Sequence, residues 1–167
     1  MTVATGFTDS GACVTLRLAV DGELLPDSSS VYDEWGEKLP LSETVGTIER
    51  LVVESDGVPV GQVSWHRTHY GPNLGSCAWN IGIGVATEAQ GIGIGTVAQR
   101  LLAEYLLDRG PLDRIEASTD VDNYAEQRAL EKAGFSREGI LRSAQQRLDG
   151  RHDLISYSFL RSDLNRQ

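Results

Sequence analysis

Alternating apolar and polar residues mark several segments of this chain as β-strands. The clearest pair lies at residues 48–55 and 58–70, on either side of Asp56-Gly57, a dipeptide typical of the tight turn of a β-hairpin. Asp149-Gly150 predicts a second hairpin for the same reason. The other segments with a strand pattern are residues 14–20, 76–85, 115–119, 136–147 and 152–160.

Two segments have the period of an amphipathic helix instead. Residues 96–108 carry an apolar stripe at i, i+4 spacing. Residues 124–132 predict a second helix, with Asp122 or Asn123 as the N-cap and Gly134 in the left-handed position that often ends a helix.

The N-terminal third of the chain is less regular. Residues 1–12 are polar and offer little to pack, so we expect a loose terminus there. Residues 31–39 follow a run of candidate N-cap residues and predict a short helix that carries Trp35 and Leu39. The 167 residues contain no linker or repeat, and we expect a single domain over residues 1–167.

The net charge of −9 narrows the possible partners. It argues against a nucleic-acid partner, because binding a phosphate backbone needs a basic surface. It suits a cationic partner such as an amine, although a charge of this size also serves solubility. The apolar runs are too short to cross a membrane, so no membrane partner is expected. Only Cys13 and Cys77 are present, and residues 1–12 lack a secretory pattern, which together favour a cytoplasmic location.

The segment that carries candidate chemistry is a glycine-rich turn between a predicted strand and a predicted helix. Gly91, Gly93 and Gly95 stand at alternate positions, where they let the backbone approach a ligand closely. The helix that follows presents unpaired N–H groups, so the turn predicts a phosphate or pyrophosphate site. It is not a P-loop, because no Gly-Lys-Ser/Thr follows, and Thr96 replaces the third glycine of a dinucleotide fingerprint. A purely structural turn is the alternative.

Three blocks of sequence resemble a known family. Gln90-x-x-Gly93-x-Gly95 resembles the acetyl-CoA loop of the GCN5-related N-acetyltransferases (GNAT), and residues 123–135 resemble that family's asparagine-bearing helix ending in Lys-x-Gly-Phe. A third block is similar to the Rim-type branch, which acetylates ribosomal proteins. Its residues are Gly134, Phe135, Glu138, Gly139, Arg142, Gly150, Asp153 and Tyr157.

The resemblance implies an α+β fold: a strongly bent mixed sheet with helices on both faces and a splayed central strand pair. It implies acetyl-CoA as cosubstrate and no metal. Backbone groups of the loop would hold the pyrophosphate, the central strand would pair with the pantetheine arm, and Asn123 would contact that arm. The implied cofactor-binding residues are Ile83, Val85, Gln90, Gly91, Ile92, Gly93, Ile94, Gly95, Thr96, Asn123 and Arg128.

The acid and base are where this chain departs from the resembling family. Many members have a tyrosine acid where Leu130 stands, and Rim-type members often have serine where Glu126 stands. Other members place a glutamate or histidine base at positions that match Trp79 or Ile81, neither of which titrates usefully.

Four other residues remain as candidates. Glu54, Glu116 and Glu126 are candidate bases, and Tyr124 is a candidate acid; alternatively, the amine reaches the site already neutral. The function expected from the resemblance is acetyl transfer to a primary amine, either a protein N-terminus or a small molecule such as an antibiotic. A non-catalytic acyl-CoA-binding sensor is the alternative. The short N-terminal cover leaves Trp35 and Leu39 in need of burial, which suggests a homodimer through this short helix or through the C-terminal strands.

Overall fold

The chain is built around a mixed β-sheet. The computed structural model describes residues 1–35 and 47–165. Within them the strands are β1 (Thr2–Phe7), β2 (Cys13–Arg17), β3 (Glu49–Ser55), β4 (Val58–His69), β5 (Cys77–Val85), β6 (Arg114–Asp120), β7 (Ser136–Arg147) and β8 (Gly150–Leu160). The α-helices are α1 (Ile94–Asp108) and α2 (Tyr124–Lys132), and 3-10 turns lie at Val31–Asp33, Leu74–Ser76, Thr87–Ala89 and Arg161–Asn165.

The strand order across the sheet is β1-β2-β3-β4-β5-β6-β8-β7. Neighbouring strands are antiparallel except β5 and β6, which run parallel and are connected through α1, the kind of crossover that a parallel pair needs. This parallel pair consists of Trp79 opposite Ile115 and Asn80 opposite Glu116, after which the two strands diverge. The predicted α+β class and the splayed central strands are confirmed.

The core lies between the sheet and the two helices. Trp65, Ile81 and Ile115 point from three adjacent strands into one buried cluster, which also contains Leu102 of α1 and Leu130 of α2. Burying a side chain of this kind contributes about 1.5–3 kcal/mol, so this cluster packs both helices against the sheet. The opposite face is more polar, because the side chains that alternate with these three include Ser64, Asn80 and Glu116. Ser28, which precedes the 3-10 turn Val31–Asp33, lies against Gly84 on that face.

Several sequence predictions are confirmed closely. The first hairpin turns at Asp56 and Gly57, both with positive φ, as a two-residue turn of the expected type requires. Helix α2 has the predicted bounds, and Asn123 is its N-cap: its side chain accepts a hydrogen bond from the Glu126 N–H. Gly134 adopts the predicted left-handed conformation, with φ 95°.

Two predictions in the N-terminal third were wrong. Residues 1–12 are not a loose terminus, because Thr2–Phe7 pairs with β2 and its Val3 and Ala4 pack against the core. Their small side chains hid the strand pattern. Of the predicted helix at residues 31–39, the described part, residues 31–35, forms only a 3-10 turn at Val31–Asp33, and residues 36–39, including Leu39, lie outside the described residues. Among the described helices, none is long and apolar enough to cross a membrane.

Candidate active site

A cleft of about 900 Å³ passes through the sheet where β5 and β6 diverge. Beyond Asn80, the edge of β5 that faces β6 has no strand partner within residues 1–35 and 47–165, so its backbone groups remain available to a ligand. One end of the cleft opens beside α1 and α2, and the other opens on the polar face of the sheet.

The glycine-rich turn forms the wall at the helix end. Gly93 is the N-cap of α1, with φ 91°, and no side chain caps the helix there. A residue with a Cβ would be strained in this conformation, which explains the glycine. The first N–H groups of a 15-residue helix are therefore left for an anion, as the sequence predicts.

The predicted cofactor residues come together with two exceptions. Ile92 is 51% exposed but does not line the cleft, and Ile94 is buried in the core, so for these two only the backbone can serve. Gln90 donates its side-chain amide to the Val85 carbonyl, at 2.8 Å, and thereby ties the loop to β5. The predicted residues that line the cleft are Ile83, Val85, Gln90, Gly91, Gly93, Gly95, Thr96, Asn123, Tyr124, Glu126 and Arg128.

Helix α2 contributes cations and a carboxyl group to the same wall. Arg128 and Lys132 are one turn apart and both line the cleft. Sequence reasoning missed Lys132, although its i, i+4 spacing from Arg128 was a usable signal. Tyr124 is 64% exposed at the rim.

Glu126 is the most perturbed titratable group of the cleft. Burial raises the pKa of its carboxyl group to about 7 from an ordinary 4.5, while a hydrogen bond from the Gln99 side chain acts in the opposite direction. A carboxyl group with a pKa near 7 is suited to moving protons at neutral pH. The prediction of Glu126 as a catalytic candidate therefore gains a physical basis.

The other two carboxyl candidates lie elsewhere. Glu54 forms an ion pair with Arg17, and Glu116 binds Arg114 and the Tyr70 hydroxyl group. Neither side chain lines the cleft, so neither is placed to take a proton from a substrate there.

The opposite end of the cleft is covered by residues 28–35, which we call the strap. Ser28 lies so close to β5 that a Cβ at Gly84 would be 2.5 Å from its hydroxyl oxygen, so any larger residue at that position would have to displace the Ser28 side chain. The Tyr32 hydroxyl group donates to the Asp122 carbonyl at 3.1 Å, and the Leu148 N–H donates to the Glu34 carbonyl at 3.0 Å. The strap thus spans from β5 to the β7–β8 hairpin.

A buried arginine supports the strap from below. The Arg147 guanidinium lies 5.6 Å from the Tyr32 ring centre and 5.9 Å from that of Trp35. It forms a 2.6 Å ion pair with Asp120. Although burial alone would raise the pKa of Asp120, a hydrogen bond from the Asp122 backbone and the Arg147 charge together lower it. No local motif indicated this arrangement, because its members are distant in the chain.

The mouth under the strap is acidic. Asp33 and Asp122 both line it, and neither forms an ion pair within residues 1–35 and 47–165. The same part of the chain contains no group of three or more side chains arranged to hold a metal ion.

Comparisons with known proteins agree with this geometry. A family model described as an acetyltransferase (GNAT) domain matches residues 27–136. The curated protein named probable N-acetyltransferase YjcK, from Bacillus subtilis (strain 168), is 48% identical over 52 residues, which span 31% of this chain and 29% of that relative's length.

Two solved structures illustrate the similarity of fold. RimJ of Mycobacterium smegmatis, in complex with CoA-disulfide, has a TM-score of 0.72 at 22% identity, over 99% of this chain and 90% of that one. The microcin C7 self-immunity acetyltransferase MccE, in complex with acetyl-CoA and AMP, has a TM-score of 0.59 at 25% identity, over 68% of this chain and 61% of that one.

Proposed function

The chain belongs to the GNAT acetyltransferase family, and from this we propose that it transfers an acetyl group from acetyl-CoA to a primary amine. The observation that carries the proposal is the cleft through the sheet, which joins an anion-binding loop at one end to an acidic mouth at the other. Two substrates can enter such a passage from opposite faces and meet inside it, which a transfer reaction requires.

The helix end fits acetyl-CoA. Backbone N–H groups of residues 91–96 are available for the pyrophosphate, and the open edge of β5 at Ile83 is available for the pantetheine amides. The Val85 carbonyl, which already accepts from Gln90, has a second lone pair for the same arm. Asn123 lines the same wall, and Arg128 supplies positive charge there. The CoA ligands of RimJ and MccE support this assignment.

Glu126 is assigned as the general acid. Transfer breaks the carbon–sulfur bond and forms a carbon–nitrogen bond, while the amine loses a proton and the thiolate gains one. Glu126 lies on the helix side of the gap, the side of the loop that would hold the cofactor. A carboxyl group with a pKa of about 7 gives its proton readily to a thiolate whose acid has a pKa of about 8.5.

The pKa of Glu126 is less well suited to the role of general base. Taking a proton from an amine with an ordinary pKa of about 10.4 is unfavourable for such a carboxylate. We therefore propose that the amine enters the gap neutral. Tyr124, at the rim, is the second candidate proton donor.

The acceptor is proposed to carry positive charge outside the reacting amine. Asp33 and Asp122 line the mouth, and a cation held there would leave the amine directed into the gap. The Rim-type resemblance favours a protein N-terminus, whereas a cationic small molecule fits the same mouth.

Free Cys13 and Cys77 support the proposal of a cytoplasmic location.

The test is a thiol-release assay with acetyl-CoA and a panel of amines: peptides with free N-termini, polyamines and aminoglycosides. We expect turnover with at least one cationic member, and loss of activity above a pH of about 7 that is absent in Glu126→Gln. Loss of activity below that pH would instead make Glu126 the base. Tight acetyl-CoA binding without turnover on any amine would favour the sensor alternative.

A further inference from the structure

The turn between β1 and β2, residues 8–12, lies against the glycine-rich loop. Thr8 is only 6% exposed, and a Cβ placed at Gly93 would lie 3.6 Å from both the Cβ and the Cγ2 atoms of Thr8. Apart from the chain neighbours of Gly93, no other side chain of residues 1–35 and 47–165 comes within 4 Å of this position. Gly93 is the N-cap of α1, so Thr8 packs behind the residue at which the chain turns into the helix.

Hydrogen bonds within the turn hold Thr8 in place. Its N–H donates to the Ala12 carbonyl at 3.0 Å, and its carbonyl accepts from the Gly11 N–H at 2.9 Å. Its hydroxyl oxygen accepts from the Ala12 N–H at 3.1 Å and lies 2.9 Å from the Ser10 hydroxyl oxygen. The hydroxyl group is thus engaged inside the turn, and the methyl group, Cγ2, is the part of the side chain that is left to pack against Gly93.

The β1–β2 hairpin follows one row of residues on α1. Gly93, Val97 and Leu101 are four residues apart and therefore lie along one side of the helix. Gly6 of β1 comes so close to this row that a Cβ there would be 3.1 Å from Val97 Cγ1 and 3.5 Å from the Leu101 methyl groups. The hairpin therefore supports α1 from its N-cap through its second turn, beside the loop that would bind the cofactor.

We propose that Thr8 is a positioning residue of the acetyl-CoA site, which holds Gly93 in the conformation that directs the first N–H groups of α1 at the pyrophosphate. This role rests on the proposed function, in which the loop binds acetyl-CoA. A loop with three glycines has wide backbone freedom and needs contacts from outside to keep one conformation. A Cβ at Gly95 would lie 3.9 Å from Ile83 Cδ1, and Gly91 has no such neighbour within 4 Å among the described residues, which leaves Thr8 to support the middle glycine. A loop that is already ordered binds its ligand more tightly, because less ordering remains to be done.

The decisive variant is Thr8→Gly, which removes the contact with Gly93. In calorimetry its Kd for acetyl-CoA should be roughly 3–10-fold higher than that of the wild type, because the loop must then be ordered on binding. The KM for acetyl-CoA should rise with it in the thiol-release assay, while the KM for the amine should change less than about twofold. Thr8→Val keeps the branched shape and the methyl contact but lacks the hydroxyl group, and its Kd should stay within about twofold of the wild-type value. An affinity as low as that of Thr8→Gly would assign the effect to the hydroxyl group and refute the contact.

Thr5→Gly is the matched control. Thr5 lies in β1 of the same hairpin, opposite Thr15, and its side chain is exposed. The same substitution at this position gives the hairpin a similar gain in backbone freedom, but it should leave the Kd for acetyl-CoA unchanged. An equal rise in Kd in both variants would mean that any loosening of the hairpin weakens binding, and the specific role of Thr8 would be refuted.

Amide hydrogen exchange of Val97 gives a readout that needs no ligand. Its N–H donates to the Gly93 carbonyl at 3.1 Å, at the start of α1. We expect faster exchange in Thr8→Gly than in the wild type, and little change in Thr5→Gly. An unchanged rate in Thr8→Gly would overturn the proposal, and so would faster exchange with an unchanged Kd. If the wild type does not bind acetyl-CoA, the proposed function fails, while the exchange of Val97 still tests whether Thr8 holds the loop. Thr8→Ser, which keeps the hydroxyl group and removes the methyl group, replaces Thr8→Gly if that variant does not fold.

Discussion

Glu126→Gln should stabilise the folded protein at high pH while it impairs the proposed reaction. The substitution replaces an ionisable group with a neutral one of the same shape. In the wild type, folding raises the pKa of Glu126 from 4.5 to about 7, because the charged form is poorly solvated in the cleft. The folded state therefore binds this proton more tightly than the unfolded state.

The sign and size follow from proton linkage. Stability from this group is fully present below pH 4.5 and is lost as the pH rises to about 7, at up to about 1.4 kcal/mol per pH unit. In total the free energy of unfolding of the wild type falls by about 3 kcal/mol, and most of this fall is complete by pH 9. The free energy of unfolding of Glu126→Gln should not show this fall. For a chain of this length, the difference corresponds to a Tm about 6–12 °C higher than that of the wild type at pH 9.

The measurement is urea unfolding of both proteins, without ligand, at pH 5, 7 and 9. The difference between variant and wild type should grow by about 2–3 kcal/mol from pH 5 to pH 9. Glu49→Gln, on an exposed position of β3, is the control and should show a nearly constant difference. A constant difference for Glu126→Gln would mean that this carboxyl group is well solvated, and the argument for its role as an acid would lose its basis.

Three further predictions concern the cofactor wall and the sheet edge. Gly93→Asp should abolish acetyl-CoA binding in calorimetry, because it adds strain and a negative charge at the N-terminus of α1. The control is Gly57→Asp, which has the same kind of positive φ but lies in an exposed turn, and it should leave the affinity for acetyl-CoA unchanged. Asn123→Ala should destabilise the protein by about 1 kcal/mol in urea unfolding, because it removes the N-cap of α2. It should also lower kcat under conditions where the variant is fully folded, because it removes a contact in the cleft. We propose a homodimer along the outer edge of β7, where Ile140 and Leu141 are 52% and 46% exposed; a monomeric mass in light scattering at micromolar concentration would exclude it.

The cofactor half of the site was predictable because its information is local. A strand, three alternate glycines and a helix follow one another in the chain, and each dictates the conformation of its neighbours.

The dimer hypothesis shows the limit of this reasoning. It assumed that Trp35 needed burial against another subunit, whereas Trp35 already packs against Arg147 of its own chain. That contact joins residues 112 positions apart, and no sequence period encodes it.

Gln99 is the instructive intermediate case. A glutamine in the buried row of an amphipathic helix breaks the apolar pattern, and this break was visible in the sequence. Its meaning was not, because the cleft that Gln99 lines is completed by α2, a helix that lies elsewhere in the chain. A buried polar residue without a partner is costly, so such a break in a helix stripe predicts that a second polar group faces it. Here that second group is the Gly95 carbonyl, one turn earlier on α1, which accepts from the Gln99 amide at 3.1 Å and so ties this buried polar side chain to the glycine-rich turn of the cleft.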